Sequence, residues 1–410
     1  MKTSLLTGTA VLALGCAAAV SAQADDAFKP IWESNLRVET VEQKGFAEDA
    51  NAVTWRNRVG FQTGPVKKLT FIVELENTTA IVDDYNSTLN GHTTYPTVSD
   101  PEVTELNRAQ VAWAPTASTT VTLGRQRIVL DDGRFVGNSG WRQDEQTFDA
   151  LRLDTGKGKF KVTAAYVSRV NRVIGDEKNW NSSSYLLNAS YEFGPSLKVV
   201  GFAHSLSFTT DADTPTVADR NNARASSVSI AGVRATGSRK VNNITLGYAA
   251  QYASESDGHD NPQNFRLEEK MVEVSAGYKW VTGKVNFESL GGSGTVGFVS
   301  PIGTAHIFQG WADAFSSTGG HKTFVNGIND LSYTATVNFP HKLKPSLSLV
   351  WHDYSTTRLD QKIGTEWGAV ATVALTPKFS LMLKHADFER KNPAAPASRA
   401  KTWIAISYKY

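Results

Sequence analysis

The sequence predicts an all-β chain, a transmembrane antiparallel β-barrel of 18 strands. Three observations predict it. Alternating apolar and polar segments of about ten residues recur from end to end, and the connections between them alternate between tight and long. After residue 24 no stretch approaches the ~18 consecutive apolar residues that a membrane helix needs.

The first residues read as a leader. Lys2 precedes the apolar run "LLTGTAVLALGCAAAV" and the small-residue ending "SAQA", the pattern of a secretory signal peptide. We assign residues 1–24 to it, with cleavage after Ala24 and Ala22 as the alternative site, and residues 25–410 to the barrel. The single cysteine, Cys16, lies inside the leader, and Ala13 three residues upstream fits a lipoprotein acceptor poorly. The mature chain then has no disulfide, thiolate metal site or cysteine nucleophile. With 42 Lys+Arg against 40 Asp+Glu, there is no bulk pull toward nucleic acid. An exported chain of this pattern belongs in the cell outer membrane.

Strands are expected near 28–42, 51–62, 67–78, 102–114, 118–130, 146–155, 158–171, 182–194, 196–208, 224–238, 240–253, 267–281, 283–290, 330–340, 344–355, 365–375, 378–389 and 400–410. Tight turns fall at "TGPV" 63–66, "PTA" 115–117, "TGKG" 155–158, "GPS" 194–196, "GSR" 237–239, "TG" 282–283, "PHKLK" 340–344 and "TP" 376–377, where Gly and Pro suit the turn geometry. Longer loops fall between them, 291–329 being the longest. One clean apolar face is visible in 331–339, where Leu331, Tyr333, Ala335, Val337 and Phe339 alternate with polar residues. Trp113, Trp280, Trp351 and Trp367 lie where interfacial girdles would sit.

Parity then assigns faces. An arginine or lysine facing lipid at mid-depth costs roughly 2–4 kcal/mol, so the charged face must line the lumen. This sends Glu33, Arg37 and Glu39 inside from the first segment, Arg56 and Arg58 from the second, Glu74 and Glu76 from the third, and Arg108 from the fourth. Arg152 follows from the sixth. The lumen is expected to be wet and of mixed sign, with arginines concentrated in the first third of the barrel. The run "LGRQR" at 123–127 strains the rule, because Leu123 on the lipid side would carry Arg125 and Arg127 out with it. A β-bulge at Gly124 would swap the faces; a position high enough to snorkel is the other escape.

The stretch "LGRQRIVLDDGRFVGNSGWRQDEQTFDALRL" at 123–153 resembles the alginate-export porin family, as do "FVSPIGTAHIFQGWADAF" at 298–315, "GINDLSY" at 327–333 and "GTEWGAV…LMLKHADFE" within 364–389. The resemblance implies a monomeric eighteen-stranded outer-membrane channel with an arginine-rich passage for an anionic polysaccharide. It carries the family's basic strand onto Arg125 and Arg127, and the acidic residue of the following strand onto Asp149. The chain is short for a dedicated polymer exporter, so a scavenging porin for oligosaccharides or small organic acids, or a general porin, fits as well.

The expected function is that of an anion-selective porin. Its substrate-binding candidates are Arg37, Arg56, Arg58, Arg108, Arg125, Arg127, Arg152 and Asp149. The expected partners are outer-membrane lipid and an anionic saccharide or organic acid. Arginine offers a carboxylate two parallel N–H donors, while nearby carboxylates keep each site from trapping the solute. The competing reading is that the arginines only pair with Glu33, Glu39, Glu74 and Glu76 to hold the wall; another is a structural or adhesive barrel. No catalytic constellation emerges, since "DGHDN" at 257–261 and "AHS" at 203–205 lack partners at a meaningful spacing. "TGKGK" at 155–159 lacks the spacing of a phosphate loop. No cofactor and no metal site are expected. Loop 291–329, with His306, Trp311 and Asp313, is expected to fold into the mouth.

Overall fold

The computed structural model describes residues 28–210, 216–315 and 324–410; the leader assigned to 1–24 lies outside the described residues. The strands are β1 (Phe28–Gln43), β2 (Ala50–Thr63), β3 (Leu69–Asp84), β4 (Val103–Thr116), β5 (Thr119–Gln126), β6 (Thr147–Lys157), β7 (Phe160–Asn171), β8 (Trp180–Gly194), β9 (Leu197–Ser205) and β10 (Phe208–Thr210). They continue as β11 (Val228–Val241), β12 (Ile244–Asp257), β13 (Arg266–Tyr278), β14 (Val281–Leu290), β15 (Ile328–Asn338), β16 (Ser346–Ser355), β17 (Lys362–Ala374), β18 (Phe379–Arg390) and β19 (Arg399–Lys409). Because β9 and β10 both pair with β8 and are two halves of one interrupted strand, the wall has 18 positions. Every neighbour is antiparallel, and β1 closes the ring by pairing with β2 on one side and β19 on the other.

Closure satisfies the backbone of every wall strand without water, the condition for crossing hydrocarbon as a sheet. The outward positions are apolar: Leu36, Val59, Leu75, Leu123, Leu151, Val272 and Leu349 are all exposed. Aromatic side chains gather near the tight turns, where Phe28 stacks on Phe61 and Trp280 on Phe339. Trp113, Trp280, Trp351 and Trp367 all face outward, as expected.

The alternation of short and long connections holds around the ring, but two turns are displaced. The chain reverses at 242–243 and 279–280 rather than at 237–239 and 282–283. The left-handed residues there are Asn242 (φ 53°) and Lys279 (φ 51°). Gly237 lies inside β11, where a Cβ would come within 2.1 Å of the Ser196 carbonyl oxygen. It permits a close approach of backbones rather than a reversal. Among the described residues, two loops also carry helices that alternation does not reveal, a 3-10 turn at Asp176–Lys178 and α1 (Val217–Ala225).

The upper lumen is not uniformly wet. Phe135, Val136, Phe298, Ile302 and Phe315 from the loops pack on inward residues of the wall such as Phe148, Phe202, Ile230 and Phe388. This apolar seat corrects the expectation of a water-filled interior throughout.

The outward face generates a stability test. Val272→Arg, near the middle of β13, is expected to cost about 2–4 kcal/mol in denaturant unfolding of the barrel in vesicles. Ser275→Arg, facing inward on the same strand, should cost much less.

Candidate functional site: the lumen and its two inward loops

Two connections leave the wall and cross the interior. Loop 127–146, after β5, meets loop 291–327, after β14, through a parallel bridge between Val136 and Ile302. Gly137 N–H donates to the Ile302 carbonyl at 2.9 Å and Thr304 N–H to the Gly133 carbonyl at 2.8 Å. The expectation that 291–329 folds inward is met for its described part, and loop 127–146 joins it.

Polar anchors tie both loops to opposite walls. From loop 127–146, Gln143 donates to the Thr54 hydroxyl at 2.8 Å, Glu145 N–H to Glu76 at 3.1 Å, and Arg134 to Glu288 at 2.6 Å. From loop 291–327, Ala312 N–H donates to Glu366 at 3.1 Å. Asp313 is the hub: Arg142 reaches it at 2.8 Å, Lys401 at 3.0 Å and His306 Nδ1 at 2.8 Å. Lys401 also holds Glu39 at 3.1 Å. Trp141 stacks on His306 with ring centroids 4.1 Å apart, and the Lys384 ammonium lies 4.1 Å from the Trp141 ring and 4.2 Å from that of Trp311. Burial lowers the His306 imidazole to about 3, despite the Asp313 carboxylate beside it, so at neutral pH it is uncharged and can donate to Asp313 while accepting from Lys384 at 2.7 Å.

The predicted arginines fall into three groups. Arg37 and Arg58 face inward but are buried; Arg37 pairs with Asp100 and Glu39, and Arg58 with Glu76, Glu33 and Glu145. They hold wall and loops together, as the competing reading of the sequence supposed. Arg56, Arg108, Arg127 and Arg152 face inward and keep partial access to water. Arg108 and Arg127 both grip Glu74 at 3.0 Å, and Arg127 also pairs with Glu145. Arg152 pairs with Asp154 at 2.8 Å, and the Arg56 Nε has no hydrogen-bond partner. A slip in the β3–β4 register at Glu74 delivers both Asn107 and Arg108 to that carboxylate.

Arg125 and Asp149 form the third group and correct the sequence reading. Thr122 and Gln126 on β5, and Phe148 and Ala150 on β6, are buried inward, so alternation puts Arg125 and Asp149 on the outer face with Leu123 and Leu151. They stand opposite each other in register and pair at 2.8 Å, and Arg125 donates to the Leu106 carbonyl at 2.9 Å. Each neutralises the other toward the loop end of the wall, so neither lines the passage. No slip in register occurs at Gly124. Its φ of +113° instead precedes the end of β5, and Arg127 reaches the lumen because the chain has already left the wall.

The sequence profile of the alginate export family matches residues 34–289, more than half of the chain. The chain belongs to the alginate export family. Among solved structures it is similar to OccAB4 of Acinetobacter baumannii, with a TM-score of 0.69 at 12% identity over 94% of this chain and 99% of that one. It is also similar to OpdK of Pseudomonas aeruginosa, with a TM-score of 0.66 at 13% identity over 93% and 98%, a protein also solved with vanillate. No curated protein matches. At such identities the likeness is one of fold. Family and fold make this member an outer-membrane channel. The profile spans loop 127–146 but ends before loop 291–327, so the second inward loop lies outside the matched region.

Two outcomes follow for this family member. Arg58→Ala strips the partner from buried Glu76 and is expected to cost about 3–5 kcal/mol, read as a lowered denaturant midpoint. Deleting 300–325 is expected to raise single-channel conductance in planar bilayers; unchanged conductance would remove the loop from the pore.

Proposed function

We propose that this porin passes anionic solutes, carboxylates of the uronate type, along the arginine-bearing wall of its first strands. One observation carries the reading. The carboxylates that pair with Arg108 and Arg127 are sealed while these arginines are not: Arg127 is 26% exposed and Arg108 14%, against 0% for Glu74 and 1% for Glu145. Water in the lumen therefore meets guanidinium edges, with the balancing charge held behind them. A passing carboxylate gains a paired N–H contact, yet the acid behind each arginine weakens the hold and lets the solute leave.

The loops favour small solutes over polymer. Between them lies a cavity of about 240 Å³ lined by Arg134, Arg142, Arg172, Trp141 and Phe308. A second, of about 250 Å³, lies against β11–β17 and includes Arg134, Arg234 and Lys284. Both fall below the ~300 Å³ at which drug-sized pockets begin, the scale of one sugar acid or a small organic acid. Vanillate, solved with OpdK, is a carboxylate of that size.

Reversal potentials across a planar bilayer in a KCl gradient test the proposal. The channel is expected to prefer chloride to potassium and to be blocked by oligouronates. Arg108→Gln with Arg127→Gln should shift selectivity toward cations and weaken block roughly tenfold or more, the loss of one charge-assisted contact. A cation-selective channel indifferent to oligouronates would overturn it.

A further inference from the structure

The register of β3 on β4 sets Glu76 directly opposite Glu105. Both face inward, and like charges directly opposite each other destabilise a strand pair. Loop 127–146 then brings a third carboxylate, Asp144, onto the same place. One oxygen from each of the three lies within 4.8 Å of the others. Glu76 and Asp144 are 0% exposed and Glu105 7%.

Partners for this charge are scarce. Arg58 and the Glu145 N–H bond Glu76, but Arg58 also serves Glu33 and Glu145. Asp144 accepts from Gly175 N–H at 3.2 Å through Oδ2. Its Oδ1 and the Glu105 Oε1 are shut away from solvent and find no donor while both acids are ionised, the bond open to them being a proton shared between the two; the hydroxyl of Thr78, the next inward position after Glu76 on β3, also has no hydrogen-bond partner. A buried acceptor left unpaired is costly, and a buried anionic one more so.

We propose that Glu76, Glu105 and Asp144 bind one calcium ion that fastens loop 127–146 to the barrel wall. Glu76, Glu105 and Asp144, with Glu33 and Glu145, share Arg58 and the inward-facing Arg56 opposite Thr78, so acids outnumber bases at this place and leave an excess that a divalent cation balances. The donors are all hard oxygens, which select calcium or magnesium over zinc or copper. Three oxygens this close together can share one calcium ion, whose ligands stand ~2.4 Å from it. Magnesium demands a tighter octahedron and retains several waters, for which this closed place is ill suited. The ion would join β3, β4 and the loop at the root of Glu145, the residue that holds Arg127. The proposal does not depend on which solute the channel passes.

Calorimetric titration with calcium chloride tests it, on the full-length barrel refolded without lipopolysaccharide and stripped by chelator. One ion per chain is expected to bind, and Glu105→Gln and Asp144→Asn should each weaken binding at least tenfold. Calcium should raise the thermal midpoint of the parent protein but not of either variant. Both variants should still fold, since each removes a charge from a like-charged group without changing its size. No saturable binding near one ion per chain, or binding untouched by both substitutions, would overturn the site. A parent midpoint indifferent to calcium would also overturn it and assign the cluster to shared protons.

Discussion

Hydrocarbon offers a peptide group nothing to bond to, and this constraint organises the whole molecule. A sheet can cross only if its ladder closes, and once β1 pairs with β19 the outside of the ring must be apolar. Strict alternation then has a second effect, since every charge the strands carry is thrown inward unless it is paired in place. Arg125 and Asp149, opposite each other in register, are one pair that stays outside, and Glu268 with Lys270 on β13 is another. The remaining wall charges meet in a confined lumen, where an unpaired ion is expensive and a correctly placed partner is worth more than at an open surface.

The two inward loops answer that demand. Arg142, Glu145 and Asp313 are loop residues, and each pairs with a wall charge, Arg142 with Glu39, Glu145 with Arg58 and Asp313 with Lys401. Glu39, Lys401, Asp313 and Arg142 form one chain of contacts from β1 and β19 through both loops. The loops are therefore held in the lumen by the same charges that parity put there.

Much of the wall was legible in the sequence because its period is two and its penalty for error is large. Eighteen segments, their order and the inward set Arg37, Arg56, Arg58, Arg108 and Arg152 all follow from alternation. Turn positions were less legible, because Asn242 and Lys279 take the left-handed conformation that was credited to Gly237 and Gly283. The faces of Arg125 and Asp149 were obscured for another reason: a charge facing lipid was excluded without knowing that its partner stood in register. Contacts such as Arg37 with Asp100, Arg142 with Asp313, and Glu76 with Glu105 and Asp144 were out of reach. They depend on strand register and on loops returning to walls distant in sequence, neither of which a periodic pattern encodes.

The seats of the loops differ around the ring, and the difference bears on where a solute can go. From β6 round to β19 the loops rest largely on apolar side chains, among them Phe148, Leu186, Ile230, Phe388 and Trp403. Against β1–β4 they rest on ion pairs and amide contacts to Glu39, Thr54, Glu74 and Glu76. Apolar packing expels water as it forms, whereas a charged seam keeps water at its edges. On the proposed reading, the hydrated lane thus lies against the strands that carry Arg56, Arg108 and Arg127. The seat opposite them, apolar between the anchors at Glu288, Glu366 and Lys401, narrows the choice of path, and on this reading selectivity resides in the wall that carries the arginines.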